Sequence, residues 1–557
     1  MRASRLLAAL LLLAAAGQWS AAQPASDKLC FSELQVLGSH NSYHQAPPAE
    51  LLAAFGGLAS GPLLAWEYTQ PPLSLQLDAG VRALELDVYW DPQGRLYGQS
   101  AGLRIAGMNG WLTEPQYQQP GFKVLHIPDF DYRTRCILLS ECLDGIRQWS
   151  DAHPGHLPIQ LHLEVKDGPQ AAALLGDGLA EVLQGLLNSS AAEGPASFVQ
   201  PLQSTPQLFF DLQAELKAAF GGSTADGGIL LTPDDVRAAV GAAPAADLQQ
   251  ILLTPAGGAG SCPWPSLSSM RGRVLVKLIQ YGGSTLAAAL QQAYPNLAGS
   301  LAWVERNGEQ PLEQAVFRAA AIGRLQDAAT AFSFALPANA TAMVGDLVGA
   351  VESATAEGYL VRARADVDTV EARAGFVVRR DAILASGAQV VASDYVLPAV
   401  AVEPLLASGT QQAASSNYSV QLPGGLPGRC LRPSGSSSGG SSGMSGSSGD
   451  VLEMYGASGG SQDAIFCGPL YVDASTEAEG ASGAEGGTAG SQQAPPVVEA
   501  AADSPGSAGG TAAAPQPQPG QQSAGASSGG VRRSLPTAAS LAAAAAATLA
   551  AAVMCVA

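Results

Sequence analysis

Residues 81–89 read VRALELDVY and residues 158–166 read PIQLHLEVK, and runs of this kind decide the fold class of the chain. Each is a short stretch rich in β-branched and other apolar residues, which is typical of a strand. Six further runs have the same character: LQVLGSH (34–40), KVLHI (123–127), VLVKLIQ (274–280), LAWV (301–304), YLVRARA (359–365) and AQVVAS (388–393). Strands that alternate with helical or loop segments in this number predict a parallel α/β protein, closed as a (β/α)8 barrel of the TIM type. The run ILLT (229–232) is a further candidate strand, which would change the strand count by one.

The segment after Thr232 predicts a helix. It reads PDDVRAAV, so that a threonine stands at the N-cap, a proline at the first helical position and two acids in the first turn. This pattern supports the alternation of strands with helices.

The histidines concentrate in one part of the chain. All six lie between residues 40 and 162: His40, His44, His126, His153, His156 and His162. Histidine titrates near neutrality and is the commonest general acid or base, so we expect the chemistry in the first half of the barrel. His40 lies in GSHNSYH at the end of the first predicted strand, and His126 ends the run KVLHI. Taken alone, each histidine also fits a structural role, in a polar loop or in a satisfied core.

Acidic side chains recur along two predicted strands. Glu85 and Asp87 stand two residues apart and therefore project to one face. Two carboxylates on a buried face repel each other unless a cation is bound, and hard oxygen ligands favour calcium or magnesium. The same alternation places His162, Glu164 and Lys166 on one face of a later strand, where they would add a carboxylate and a phosphate-seeking cation. The alternatives are a strand end where the acids reach water and an exposed antiparallel strand.

Four motifs in this order resemble one known family. GSHNSYH, GVRALELDVY, VLHIPDFD and LHLEVKD are similar to segments of the calcium-dependent phosphoinositide-specific phospholipase C-like phosphodiesterases, in their compact secreted form. The similarity continues more weakly through LLTPDDVR, WPSLSSMRGRVLVKL and RRDAILASGAQVVASDY. The resemblance implies an α/β barrel, Ca²⁺ as cofactor, and a phosphoric diester hydrolase that cleaves phosphatidylinositol-like lipids through a cyclic inositol phosphate.

The resemblance also implies roles for individual residues. His40 and His126 would be the catalytic histidines, and Glu85 by preference the base. The calcium ligands would be Asn41, Glu85, Asp87 and Glu164. Lys166 would help to hold the substrate phosphate, and Asp394 receives no role. The family usually has an acidic residue after VLVKL, whereas this chain continues Lys277-Leu-Ile-Gln280, which leaves the detail of the substrate open.

Two other functions were weighed against this one. A glycerophosphodiester phosphodiesterase would show His-Arg-Gly at the first strand and Glu-Asn-Thr after it, where this chain reads His40-Asn41-Ser42 and Glu85-Leu86-Asp87. A non-catalytic, anchored cell-surface protein would keep the barrel without turnover. The complete set of histidines and acids argues against such a loss.

The two ends of the chain predict export. Residues 1–22 combine two arginines, a short apolar run and small residues, the pattern of a signal peptide, with an N-terminal anchor as the alternative. Residues 531–557 follow small residues with a polar spacer and an alanine-rich tail, which predicts a GPI-attachment signal, a weak membrane helix or low-complexity sequence. Between them we expect the barrel at 28–400, a short appendage with a Ser/Gly linker at 401–472, and a disordered stalk at 473–530.

Composition agrees with an extracellular destination. Loss of the tail would remove Cys555 and leave an even number of cysteines, which suits disulfides. The sequence leaves the pairing of these cysteines open. A disulfide between Cys430 and Cys467 is a candidate to close the appendage. Three sequons begin at Asn188, Asn339 and Asn417. The net charge of −19, without a basic stripe, excludes nucleic acid as a partner. We therefore predict a monomeric, secreted glycoprotein that acts on a phospholipid at a membrane surface.

Overall fold

The computed structural model describes residues 29–55, 63–170, 177–253, 262–279, 285–307, 314–327, 335–403, 418–422, 425–431 and 465–466. The predicted signal peptide, stalk and GPI signal lie outside these residues. The chain divides into two compact units, and every described residue belongs to the first, which contains Met1–Leu470.

The strands of the described residues are β1 Leu34–Ser39, β2 Val81–Asp91, β3 Gly121–Val124, β4 Ile159–Val165, β5 Val274–Ile279, β6 Ala302–Asn307, β7 Phe317–Ala319, β8 Leu360–Arg364, β9 Val390–Ser393, β10 Gly428–Cys430 and β11 Ile465–Phe466. Eight of them pair in parallel in the order β1-β9-β8-β7-β6-β5-β4-β2. Because β1 pairs in parallel with both β9 and β2, the sheet closes on itself. The predicted (β/α)8 barrel is therefore confirmed.

One predicted barrel strand is wrong and another was missed. The run KVLHI gives β3, which pairs antiparallel with β2, with Val124 opposite Val88, and takes no place in the barrel. The missing barrel strand is β7, whose three residues are too few to show a periodic pattern. ILLT forms no strand and contributes an isolated bridge from Leu230 to Val274.

The helices of the described residues are α1 Ala49–Phe55, α2 Leu73–Asp78, α3 Ala101–Ile105, α4 Leu139–Ala152, α5 Asp177–Ser189, α6 Pro206–Phe220, α7 Pro233–Ala239, α8 Leu248–Leu252, α9 Leu267–Met270, α10 Leu286–Ala293, α11 Ala340–Ala356, α12 Val370–Ala374, α13 Val378–Ala385 and α14 Ala399–Val402. The predicted helix after Thr232 is α7, and its capping box is formed: the Thr232 hydroxyl accepts from the Asp235 amide, and the Asp235 carboxylate accepts from the Thr232 amide. Among the described residues, no helix combines the length and the apolar character needed to cross a bilayer.

The two faces of the barrel strands carry different side chains. Leu84, Leu86 and Val88 of β2 are fully buried in the main hydrophobic core, which also contains residues of the surrounding helices. Glu85, between them, contacts Arg362 of β8, although β1 and β9 separate these two strands in the sheet. The interior of the barrel is therefore polar, and it connects strands that are not neighbours.

Covalent links and additional pairing complete the fold. Disulfides join Cys30 to Cys262 and Cys136 to Cys142. Cys430 is also disulfide-bonded, while Cys467 lies outside the described residues. The strand β10, within the predicted appendage, pairs antiparallel with β1, and β11 pairs in parallel with β10.

Candidate active site

The predicted site residues of β1, β2 and β4 lie toward the C-terminal ends of these barrel strands, the end that carries the active site in this architecture, and His126 follows β3. His40 directly follows β1, and Glu164 stands one residue before the end of β4. Gly38 allows this convergence, since a Cβ at that position would lie 3.0 Å from Val390 Cγ1 and 3.2 Å from the Ala83 Cβ. A larger residue there would push β1 away from both neighbouring strands.

A cluster of three carboxylates lies in the mouth of the barrel. Oxygen atoms of Glu85, Asp87 and Glu164 all lie within 4.8 Å of one another, and the three residues are buried. Glu85 Oε1 and Asp87 Oδ1 accept no hydrogen bond. Burial raises the pKa of Asp87 well above its usual range, so ionising this group requires a cation. The donors therefore fit a hard cation such as Ca²⁺, as the sequence predicted.

Lys166 lies against this cluster. Its Nζ is 3.2 Å from Asp87 Oδ2 and forms an ion pair with Glu164. The residue that was expected to contact phosphate is thus placed next to the carboxylates, where its charge offsets part of theirs.

Asn41 stands in the loop that follows β1, and this loop is tied to β2. Its backbone adopts φ = 41°, its side chain hydrogen-bonds to Tyr68, and the residue is buried. The next residue, Ser42, donates its amide to the Glu85 carbonyl at 2.8 Å and accepts the Glu85 amide on Oγ at 2.8 Å. The loop is therefore fixed to the backbone of Glu85, while a role for Asn41 as a metal ligand stays a prediction.

His40 is oriented by a carboxylate that is distant in the chain and follows the neighbouring strand β9. Its Nδ1 lies 2.7 Å from Asp394 Oδ1, and its Nε2 lies 3.8 Å from Glu85 Oε1. Burial, followed by the charge of Arg364, holds the pKa of His40 well below its usual range. Arg364 in turn donates to Asp394 Oδ2 at 2.7 Å.

His126 has a carboxylate partner of its own. Its Nδ1 lies 2.7 Å from Asp131 Oδ2, and the same carboxylate binds His44 Nε2 at 2.8 Å. Burial lowers the pKa of His126, and the contact with Asp131 opposes this shift. Burial by itself would raise the pKa of Asp131, but the two histidines outweigh it and hold this pKa below the usual value. Asp131 is therefore a stable anion between two imidazoles.

Lys277 belongs to the segment that departs from the family pattern, and it lies inside the barrel. Lys277 is buried, and its Nζ is 3.3 Å from Glu305 Oε2. Burial lowers its pKa to about 8. Glu305 also binds Arg362, so the lysine belongs to an internal ion network and does not reach the mouth of the barrel.

Sequence reasoning missed several residues of the site: Tyr68, Asp131, Arg362, Arg364 and Asp394. Two local signals were available. Asp131 belongs to the motif VLHIPDFD, and Arg362 and Arg364 alternate with apolar residues in YLVRARA. Asp394 showed no such signal, because its partner His40 is distant in the chain.

An eight-stranded parallel barrel, with an acidic cation site between two carboxylate-bound histidines, has the parts of a metal-dependent acid–base enzyme. The family model described as "Phosphoinositide phospholipase C, Ca2+-dependent" matches residues 29–432. The chain therefore belongs to this family, and it is a calcium-dependent phosphodiesterase of the phospholipase C type with a phospholipid-type substrate.

Solved structures of similar proteins were also found. One is a calcium-dependent phosphoinositol-specific phospholipase C from a Gram-negative Pseudomonas species, with 17% identity, a TM-score of 0.36, and coverage of 67% of this chain and 92% of that one. Another is a Ca²⁺-dependent phosphatidylinositol-specific phospholipase C from Streptomyces antibioticus, with 19% identity, a TM-score of 0.32, and coverage of 66% and 94%. No curated protein sequence matches the chain.

Proposed function

We propose that the protein cleaves phosphatidylinositol-like phosphodiesters to a cyclic inositol phosphate and a free alcohol, with His40, His126 and Glu85 as catalytic groups. The observation that carries this proposal is the arrangement of the mouth of the barrel. Two histidines, each held by a carboxylate, accompany a cluster of carboxylates in which Glu85 Oε1 lies 3.8 Å from His40 Nε2.

The reaction is an intramolecular transfer. The 2-hydroxyl oxygen of inositol attacks phosphorus, and the bond from phosphorus to the oxygen of diacylglycerol breaks. The hydroxyl proton goes to the base, and the departing oxygen receives a proton from the acid. A nucleophile that belongs to the substrate gains much of its rate from proximity.

Glu85 is suited to accept the proton of the hydroxyl. Its Oε1 has no hydrogen-bond partner and lies in the carboxylate cluster, while Oε2 is engaged by Arg362. Calcium held by Asn41, Glu85, Asp87 and Glu164 would lower the pKa of that hydroxyl and offset charge on the phosphoryl oxygens. Lys166 is adjacent to two of these carboxylates, and we assign to it the contact with the substrate phosphate.

The two histidines have different proposed roles. Since Nδ1 of His40 contacts Asp394, its Nε2 is the nitrogen left for the substrate, and the protonated imidazole donates from Nε2 to the phosphoryl oxygen as negative charge develops. His126 is bound through Nδ1 to Asp131, which favours its protonated form, and Nε2 is left to protonate the leaving oxygen. Each side chain is 22% exposed, so substrate can reach both.

The location of the enzyme is part of this proposal. Two disulfides fit an oxidising compartment outside the cytoplasm. The sequons at Asn188 and Asn339 lie at exposed positions that a glycan could occupy. We infer a monomeric barrel (28–400) with its appendage (401–472), exported by residues 1–22 and attached at a membrane surface through the stalk (473–530) and a GPI signal (531–557).

The test is an assay of the purified protein on phosphatidylinositol vesicles, with calcium or with a chelator, beside His40→Ala. We expect calcium-dependent formation of a cyclic phosphate, followed by ³¹P NMR, and loss of turnover in the variant. Full activity of His40→Ala, or turnover in chelator, contradicts the mechanism. Release of glycerol phosphate from glycerophosphodiesters without any cyclic product supports the glycerophosphodiesterase instead, and absence of turnover on both substrates supports the non-catalytic alternative.

A further inference from the structure

An ion network runs through the interior of the barrel beneath the carboxylate cluster. It joins four residues from four strands: Glu85 on β2, Arg362 on β8, Glu305 on β6 and Lys277 on β5. All four are at most 1% exposed. Arg362, Glu305 and Lys277 lie below the residues proposed to contact the substrate, so these three charges act through Glu85, which they hold.

Arg362 is the centre of this network. Its Nε and Nη2 donate to Glu305 Oε1 at 3.0 and 2.8 Å, and its Nη1 donates to Glu85 Oε2 at 2.8 Å. A guanidinium is planar and rigid, so the two bonds to Glu305 fix the direction in which Nη1 points. Lys277 supplies the second cation on Glu305 and keeps that carboxylate ionised, which agrees with the lowered pKa of Glu305 that results once Arg362 and Lys277 outweigh burial.

This network determines how the carboxylate of Glu85 is held. With Oε2 held by Arg362, Oε1 is the oxygen of Glu85 that is left for a cation, and it lies 3.8 Å from His40 Nε2. Glu85 shares the carboxylate cluster with Asp87 and Glu164. Oε1 itself accepts no hydrogen bond, so the position of this metal-facing oxygen depends on the contact made by Oε2.

We propose that Arg362 is a positioning residue for the calcium site, which fixes the carboxylate of Glu85 so that Oε1 faces the cation, and that Glu305 and Lys277 fix Arg362. This inference rests on Glu85 being a calcium ligand, as in the proposed function. Partners of this kind commonly change metal affinity by about 10–100-fold when they are removed.

The test is Arg362→Lys, which keeps the charge but cannot bind Glu305 and Glu85 in the same fork. We expect calcium binding, measured by isothermal titration calorimetry, to weaken about 10–100-fold. We also expect the calcium concentration for half-maximal activity to rise in parallel. An affinity within twofold of wild type overturns the proposal.

Arg379→Lys is the matched control, because Arg379 is an equally buried arginine that pairs with Glu371 at 2.9 Å and does not contact the carboxylate cluster. It should lower the thermal midpoint and leave calcium affinity unchanged. An equal loss of affinity in this control would mean that any buried ion pair has the same effect, and this result would also overturn the proposal.

If Arg362→Lys fails to fold, the double variant Arg362→Gln with Glu305→Gln removes one charge of each sign and should weaken calcium binding similarly. Glu85→Gln separates the two proposals, since unchanged calcium binding in that variant contradicts the assignment of the site itself.

Discussion

His40 and Asp394 stand 354 positions apart in the chain, yet Nδ1 of His40 lies 2.7 Å from Oδ1 of Asp394. The contact forms where β1 and β9 pair in parallel and close the barrel, with Ser39 opposite Ser393. The closure of the barrel is therefore also what orients His40, the first of the two proposed catalytic histidines.

Asp394→Asn should reduce kcat by about 10²–10⁴-fold, because the amide cannot stabilise the protonated imidazole of His40 as a carboxylate does. Since Arg364 also loses an anionic partner, the thermal midpoint should fall as well. Asp381→Asn, at a half-exposed ion pair with Arg380, is the control and should change kcat by less than about twofold. Unchanged turnover in Asp394→Asn would show that His40 does not depend on this contact.

The role of His126 can be tested through the leaving group. His126→Ala should lose most of its activity on phosphatidylinositol, whose alkoxide leaving group needs a proton. On a nitrophenyl inositol phosphate, whose leaving group is stable as an anion, the defect of this variant should be much smaller. His40→Ala should remain impaired on both substrates, since its proposed contact is with the phosphoryl oxygen. An equal defect of His126→Ala on both substrates would remove it as the general acid.

The carboxylate cluster predicts how calcium affects stability. Asp87→Asn should abolish most of the calcium-dependent rise in the thermal midpoint, because it removes an anionic ligand from the cluster. In chelator the same variant should lose little stability relative to wild type, since removal of a buried charge from the cluster offsets the loss of the ion pair with Lys166. Asp151→Asn, whose side chain is 58% exposed on α4, should keep the full calcium effect. A full calcium effect in Asp87→Asn would exclude Asp87 as a ligand.

His156 predicts a loss of stability in mild acid. It is buried, bound to the Ser150 hydroxyl at 2.8 Å and to the Leu157 carbonyl at 2.7 Å, and burial lowers its pKa to about 4. The pKa in the unfolded chain is about 6.5, so as pH falls below this value the unfolded state takes up the proton first and stability is lost. Between pH 7 and pH 5, wild type should lose about 2 kcal/mol more than His156→Gln in urea unfolding. Equal losses in both proteins would contradict the lowered pKa.

The two disulfides should differ in their contribution to stability. Cys30–Cys262 spans 232 residues, and Cys136–Cys142 spans 6. Because a longer closed loop restricts the unfolded chain more, replacing both cysteines of the first pair with serine should cost about 2–4 kcal/mol in guanidinium unfolding. The same replacement in the second pair should cost less, and the reverse order would contradict this reasoning.

The barrel class was predictable because its strands are buried on both faces and therefore appear as short apolar runs in the sequence. β7 was missed because three residues cannot display a period, and KVLHI was placed in the barrel because an apolar run does not show which strand it will pair with. Glu85 and Asp87 were found because residues two apart in a strand share a face, a relationship that the sequence alone determines.

The sequence by itself thus determined which side chains face the interior of the barrel and, through its ordered motifs, the family. Only the tertiary structure decided which charges meet: His40 with Asp394, His126 with Asp131, and Glu85 with Arg362. Two of these three contacts join segments hundreds of residues apart, and they depend on closure of the sheet. The local alternation of apolar and polar residues indicates on which face of a strand a side chain lies. It does not indicate which other strand will lie opposite that side chain.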